Sequence, residues 1–515
     1  MQKRTPASVS LAPIRSQRIQ LFLLLLTATG IYLYLNLFVS HETPVLLGGD
    51  QVYFWMDAQR LLHGDLIYRD FFRYTLPGTD LFYAGLFRLF GLHVWVTNIA
   101  VLILGVAFSW LCYSLSSKYI ERRVAMLTTA LFLVFIYGKA LNGTNHWFAM
   151  LAVAGAVNVS LEKTTLKRMT AAGALLGLGA FFNQAHGAAA LLGFTLFLIW
   201  RQSRTKNPPV ELVSNLIMLF IGFSVALLLL NAYFIATVGL KQLWYCGVTY
   251  VLRYPARNPN GWSLGLPGTP TWRTLPKFIP YLTVYTTLPI VYCTSLLKCW
   301  QKRNNASFPW ERIALLSLIG FFLLLEVAVA VNWLRLYAVS LPGVILLMWI
   351  LSEKTKFQNR AVTLIWLVII SVAALQIVSS HSTNTIQGDL AGGRFATTRQ
   401  TYEKLHWIAS ITQPGDLFLQ AGWPGMYIPL GLRNPLYVAT VDYLDATRPG
   451  DIELSVSQMK SKHVEYVLWT KHLDSRCNPG KPCNDYLFLF REYVHKSYTC
   501  VHVFPDGDTL WRKKG

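Results

Sequence analysis

The 515-residue chain is 53% hydrophobic and 14% charged, with mean hydropathy +0.38. Those values exclude a soluble globule and a disordered chain, and they point to a polytopic membrane protein. The formal net charge of +21 would suit a polyanion, but its placement along the chain excludes a nucleic-acid partner.

A spanning helix needs roughly 20 apolar residues. About eleven stretches approach that length, near 19–39, 94–115, 124–138, 147–161, 169–183, 185–200, 212–238, 278–297, 313–331, 336–351 and 361–379. Cations gather in every second short connection: Lys3, Arg4, Arg15 and Arg18, then Lys118, Arg122 and Arg123, then Lys163, Lys167 and Arg168. The series continues with Arg201, Arg204 and Lys206, with Lys298, Lys302 and Arg303, and with Lys354, Lys356 and Arg360. Alternate connections hold little beyond Lys139 and Arg335. Lysine and arginine flanking the spans set orientation, so the N-terminus is expected in the cytoplasm. An odd number of spans then leaves the C-terminal segment outside the cell (inner) membrane, in the periplasm or beyond. The first stretch, Ile19 to Val39, reads as an uncleaved signal anchor.

The expected fold is a polytopic α-helical membrane domain over 1–380, followed by an exported α/β domain over 381–515. Two outer loops interrupt the first part, at about 40–93 and 239–277. In the first, Gln51 to Leu62 has helical periodicity, Gly64 ends it, and Pro77-Gly78 opens a second apolar helix. Both read as helices lying at the interface, where aromatic rings sit well. The second loop is rich in Pro and Gly, which predicts a short helix and an irregular lid. The tail alternates helix (396–412), strand (LFLQAG), helix (451–462), strand (VEYVLWT), helix (484–495) and a hairpin turning at Asp506-Gly507. No Gly-rich phosphate loop follows any of these strands. Cys477 and Cys483 bracket a turn that an oxidising compartment would favour as a disulfide; Cys112, Cys246, Cys293 and Cys299 read as packing residues.

Candidate chemistry falls on the outer face. Asp50 opens the first loop helix after Gly48-Gly49, and it reads either as a helix N-cap or as a reactive carboxylate at the membrane boundary. Asp57 is expected to be solvated, and Asp65, Arg69, Asp70 and Arg73 to form surface pairs. Arg73 and Tyr74 could instead meet a lipid phosphate. His146 and His186 lie at the outer mouths of spans, and Arg335 and Tyr337 open a later span from the same side. Arg335, like Arg253 and Arg257 of the second loop, reads as a snorkelling cation or as a phosphate clamp. No closely spaced ligand set marks a metal site.

The first loop carries Asp50, Tyr53, Ala58, Leu61, Gly64, Tyr68, Asp70, Phe71, Phe72, Pro77 and Gly78, and it ends at Leu89-Phe90-Gly91. With the later Arg335, Tyr337 and Pro342, this pattern resembles the GT-C superfamily of membrane glycosyltransferases, in its protein-mannosyltransferase and aminoarabinose-transferase branch. The resemblance implies a polyprenyl-phosphate-sugar donor, transfer on the outer face, and Asp50 as general base or acceptor-positioning carboxylate. Gln51 stands where the family often has a second acid, and Asn145 and His146 stand where related enzymes carry another, which leaves a divalent metal doubtful. The residues leave the donor sugar and the acceptor (lipid, glycan or protein) open. They also leave two other readings: a transporter or flippase of lipid-linked glycans, and a non-catalytic membrane scaffold.

Overall fold

Among the described residues, helices fall in each stretch that hydropathy marks. The computed structural model describes residues 12–161, 165–204, 208–253, 275–303, 305, 308–328, 332–354, 359–442, 449–474 and 487–515. The chain opens with α1 (Ala12–Leu37), a short ribbon of β1 (Phe38–Ser40) and β2 (Thr43–Pro44), and the loop helices α2 (Gln51–Leu62) and α3 (Gly78–Phe90). The bundle continues with α4 (Val94–Ser116), α5 (Arg122–Leu131), α6 (Asn145–Ser160), α7 (Leu166–Phe182), α8 (Gln184–Gln202) and α9 (Pro209–Val238). Short α10 (Leu240–Trp244) and α11 (Val251–Arg253) enter the second loop, whose expected lid lies largely outside the described residues. Then come α12 (Leu275–Gln301), α13 (Trp310–Ala328), α14 (Trp333–Val339), α15 (Leu341–Lys354) and α16 (Asn359–Thr383).

Among the described residues, 5 helices are long and apolar enough to cross a bilayer, or 6 if α14 and α15, bent by 56°, form one broken span. The remaining bundle helices include α6 and α7, at 16 and 17 residues shorter than a full span. α7 packs on α9 through missing side chains: a Cβ on Gly173 would lie 2.0 Å from the Leu219 carbonyl oxygen, and one on Gly222 2.2 Å from that of Thr170. Small residues let the two backbones approach closely, which is how helices associate where lipid supplies no hydrophobic drive.

The C-terminal segment begins with a hairpin that sequence patterning missed, β3 (Ile386–Leu390) and β4 (Gly393–Thr397). Its pairing reaches the first outer loop: Leu46 donates its N–H to the Ala396 carbonyl (2.8 Å), and Val94 to that of Gly392 (3.0 Å). The segment continues as α17 (Arg399–Ala409), β5 (Phe418–Ala421), α18 (Tyr427–Leu430), α19 (Pro449–Ser461), β6 (Tyr466–Trp469), α20 (Phe488–Ser497), β7 (Tyr498–Val503) and β8 (Thr509–Lys513). Strand order is β5-β6-β8-β7, with β5 and β6 parallel and the other pairs antiparallel. Leu419, Ile452, Val467 and Phe490 belong to a core separate from the bundle's. Cys477 and Cys483 lie outside the described residues. Cys112, Cys246 and Cys299 are buried, whereas Cys293 is exposed and does not pack.

One expectation about the first loop is corrected. Helix α2 does not lie half-wet at an interface, because Gln51 through Arg60 are all buried. The C-terminal segment covers it. Arg60 Nη1 donates to the Leu436 carbonyl (2.6 Å), Phe72 N–H to that of Tyr437 (2.7 Å), and Tyr53 meets Trp423 edge-on at 5.3 Å.

Candidate functional site

Asp50 sits where α2 begins, but it does not cap the helix. Its backbone is helical (φ −55°, ψ −17°), and its carboxylate makes no capping hydrogen bond. A capping side chain needs extended φ/ψ to fold back on the first turn. Backbone carbonyls serve instead: Val52 N–H donates to Gly49 (3.1 Å) and Tyr53 N–H to Asp50 (3.3 Å). Gly49, at φ +83°, makes that turn possible. The Asp50 carboxylate is therefore left for other work. Burial raises its pKa above the usual carboxylate range, while Arg335 and then Arg73 pull it back down.

Gln51 is a strut. Its amide donates to the Gly48 carbonyl (2.7 Å) and accepts from Gly143 N–H (2.8 Å), tying the Asp50 turn to the loop before α6. Tyr83 ties the same loop, its hydroxyl donating to the Gly143 carbonyl (2.9 Å). That loop leads directly into His146, in the first turn of α6.

The two histidines meet. His146 Nδ1 lies 3.1 Å from His186 Nε2, and His186 Nδ1 lies 2.8 Å from Glu326 Oε2. Asn183 fixes the proton positions. Its Oδ1 accepts from His186 N–H (3.2 Å) at the start of α8, so its Nδ2 donates to His146 Nδ1 (3.1 Å). His146 Nδ1 is then an acceptor and its proton sits on Nε2. His186 Nε2 stands beside that nitrogen, and His186 Nδ1 stands beside Glu326 Oε2 as a charge contact. Glu326 lies in the last turn of α13 and His186 in the first turn of α8, so the chain is at the mouth of the bundle rather than its middle.

Arg335 joins these groups. It lies on α14, which opens with Asn332 accepting from Arg335 N–H (2.9 Å). Its charge acts on Asp50, His146 and Glu326 alike. The fold thus brings together Asp50, Arg73, His146, His186 and Arg335. Tyr337, two residues after Arg335, packs its ring tilted against that of Trp333 (5.6 Å). Tyr74 approaches Tyr250 (5.9 Å) and accepts Gln184 Nε2 at its carbonyl (2.7 Å). Arg253 ends α11, and Arg257 lies outside the described residues.

Two expectations about charge are corrected. Arg73 is not a surface cation, and Asp57 is not solvated. Arg73 is buried over the Phe54 ring (4.2 Å), 3.4 Å from Asp57 and 3.8 Å from Asp80, both carboxylates being 0% exposed. Burial pushes Asp57 up to about 6 against the pull of Arg73 and Arg60, and it raises Asp80 further. Arg69–Asp70 (2.8 Å) does stay at the surface, whereas Asp65 pairs with the buried Arg60 (3.0 Å). Sequence reasoning did not single out Asp80. Asn183 had a usable signal, since Asn before Gln-Ala-His reads as a helix N-cap.

Among the described residues, no three His, Cys, Asp or Glu side chains form a metal-holding group. Gln51 replaces a second acid and uses both amide atoms on backbone, and His146 Nδ1 already accepts from Asn183.

No family profile and no curated protein matches the sequence. Solved structures match the fold. ArnT from Cupriavidus metallidurans in the apo state is 13% identical, with TM-score 0.56 over 97% of this chain and 98% of that one. The same protein bound to undecaprenyl phosphate is 12% identical, with TM-score 0.55 over 95% and 97%. The archaeal oligosaccharyltransferase AglB from Archaeoglobus fulgidus, in complex with an inhibitory peptide and a dolichol-phosphate, is 11% identical, with TM-score 0.48 over 96% and 74%. The chain therefore has the fold of ArnT.

Proposed function

We propose that the protein is a membrane glycosyltransferase that moves a sugar from a polyprenyl phosphate to an acceptor hydroxyl on the outer face of the membrane. The observation that carries this reading is geometric: Asp50, whose carboxylate caps nothing, sits on a turn tied through Gln51 to Gly143 (2.8 Å) just before the His146–His186–Glu326 contacts (3.1 and 2.8 Å), at the mouth of a bundle folded like ArnT. A lipid-linked donor brings its phosphate to the headgroup plane and needs no nucleotide site.

In the proposed reaction the acceptor oxygen attacks the anomeric carbon, and its proton passes to Asp50. The bond from that carbon to the phosphate oxygen breaks, its electron pair leaves on polyprenyl phosphate, and the centre inverts. Asp50 then releases the proton to water. General-base help of this kind is worth roughly 10²–10⁴-fold. Arg335 stabilises the charge on the leaving phosphate, and His146 Nε2–H is a second donor, its tautomer set by Asn183. Arg73, held by Asp57 and Asp80, lowers the cost of ionising Asp50. The membrane domain (1–380) carries this site, and the exported domain (381–515) covers it from outside.

A transporter of lipid-linked glycans would need charge at mid-membrane. Glu326 and His186 are instead at helix ends, which favours chemistry at the boundary. The test is release of free undecaprenyl phosphate from undecaprenyl-phosphate sugars by protein in lipid nanodiscs. Turnover by wild type, lost in Asp50→Asn with donor binding retained, supports the assignment; equal turnover by both removes Asp50 from it.

A further inference from the structure

Away from Asp50, at the opposite end of α2, a cleft of about 990 Å³ separates the bundle from the C-terminal segment. Ten residues of helix at about 1.5 Å each put roughly 15 Å between the two ends. Four cations line the cleft, Arg60, Arg69, Arg433 and Lys462, with two carboxylates, Asp65 and Asp70. The carboxylates are already committed, Asp65 to Arg60 (3.0 Å) and Asp70 to Arg69 (2.8 Å). Among the described residues, Arg433 and Lys462 have no carboxylate within ion-pair distance, which leaves the cleft two positive charges in excess.

Those charges are held together at a cost. Lys462 donates to the Pro435 carbonyl (2.5 Å), and its pKa is pushed down by burial and then by Arg60 and Arg433, against the opposing pull of Asp65. An anion entering the cleft would relieve that repulsion. Its level is also set: Val238, the last residue of the bilayer-length α9, and Gln242 of α10 form part of the wall. The cleft therefore opens at the plane of lipid headgroups.

We propose that this cleft binds a phosphate-bearing anion presented at the membrane surface, with Arg433 and Lys462 as its charged ligands. Arginine offers a planar fork that matches phosphate oxygens, and lysine adds a point charge. The site is distinct from the one at Asp50 and does not depend on the transferase reading.

The test uses the full-length protein in detergent and reads bound lipid by native mass spectrometry. Phosphatidylglycerol is titrated against zwitterionic phosphatidylcholine, and inorganic phosphate is assayed separately by thermal shift. For the double variant Arg433→Gln/Lys462→Gln, phosphatidylglycerol affinity is expected to fall roughly tenfold, as loss of charge-assisted contacts implies. The charge-preserving Arg433→Lys/Lys462→Arg variant should retain binding and exclude misfolding as the cause. If only stabilisation by inorganic phosphate is lost in the Gln variant, the cleft reads a soluble phosphate rather than a lipid. If neither ligand distinguishes wild type from the Gln variant, the proposal is overturned.

Discussion

At the scale of single residues, the proposed chemistry rests on a carboxylate freed from structural duty. Asp50 leaves the capping of α2 to backbone carbonyls, and burial raises its pKa. A base must be ionised to act, so kcat/KM should fall as pH drops through that raised pKa, above the ordinary value of about 3.9. Arg335 opposes the rise, so Arg335→Gln should move this acid limb to higher pH; a pH–rate profile of the two proteins checks the direction. The hydrogen-bond logic at His146 predicts that His146→Gln, whose Nε2 can still donate, retains more turnover than His146→Ala. Asp57 bears on stability. Its folded pKa of about 6 exceeds the unfolded value, so the folded state binds more protons between about 4 and 6. Stability from this group should therefore fall as pH rises through that window. Melting curves of wild type and Asp57→Asn should differ in that slope, being flatter for the variant.

Elements built from local pattern were legible in the chain. Gly64 and Pro77-Gly78 bound α2 and α3 because glycine and proline act through the backbone, whatever packs nearby. The hairpin at Asp506-Gly507 follows the same logic, with Gly507 at φ +86°. What escaped was set by distant partners. Nothing local to Arg73 or Asp57 shows that the C-terminal segment will bury α2, and the β3–β4 hairpin is stabilised partly by pairing with residues 45 and 46. Asp50, His146, His186 and Arg335 could be placed on one membrane face from the alternation of loop charges, but their meeting needed the fold. The glycine contact of α7 with α9 makes a prediction of its own. Gly173→Val places a branched side chain against the Leu219 backbone carbonyl, which neither helix can yield easily, so the variant should lose its monodisperse peak in size-exclusion chromatography.

For the whole molecule, the C-terminal segment acts as a cover whose contacts run to the helix that starts at Asp50. Arg60 is the chief tie: buried, over the Phe71 ring at 4.5 Å, it donates to the carbonyls of Leu436 (2.6 Å) and Asp70 (3.2 Å). Arg60→Leu leaves the buried Leu436 carbonyl unsatisfied, at about 1–3 kcal/mol, and limited proteolysis should then cut the C-terminal segment faster than in wild type. The transferase assignment itself is tested most directly by turnover. Purified protein in nanodiscs is offered a panel of undecaprenyl-phosphate pentoses and hexoses together with a cell-envelope extract as the source of acceptor, and release of undecaprenyl phosphate is followed for wild type and Asp50→Asn. At least one donor should turn over, with the variant slower by roughly 10²-fold or more and donor binding unchanged. Release at the same rate from both proteins, or from neither with any donor, would contradict it.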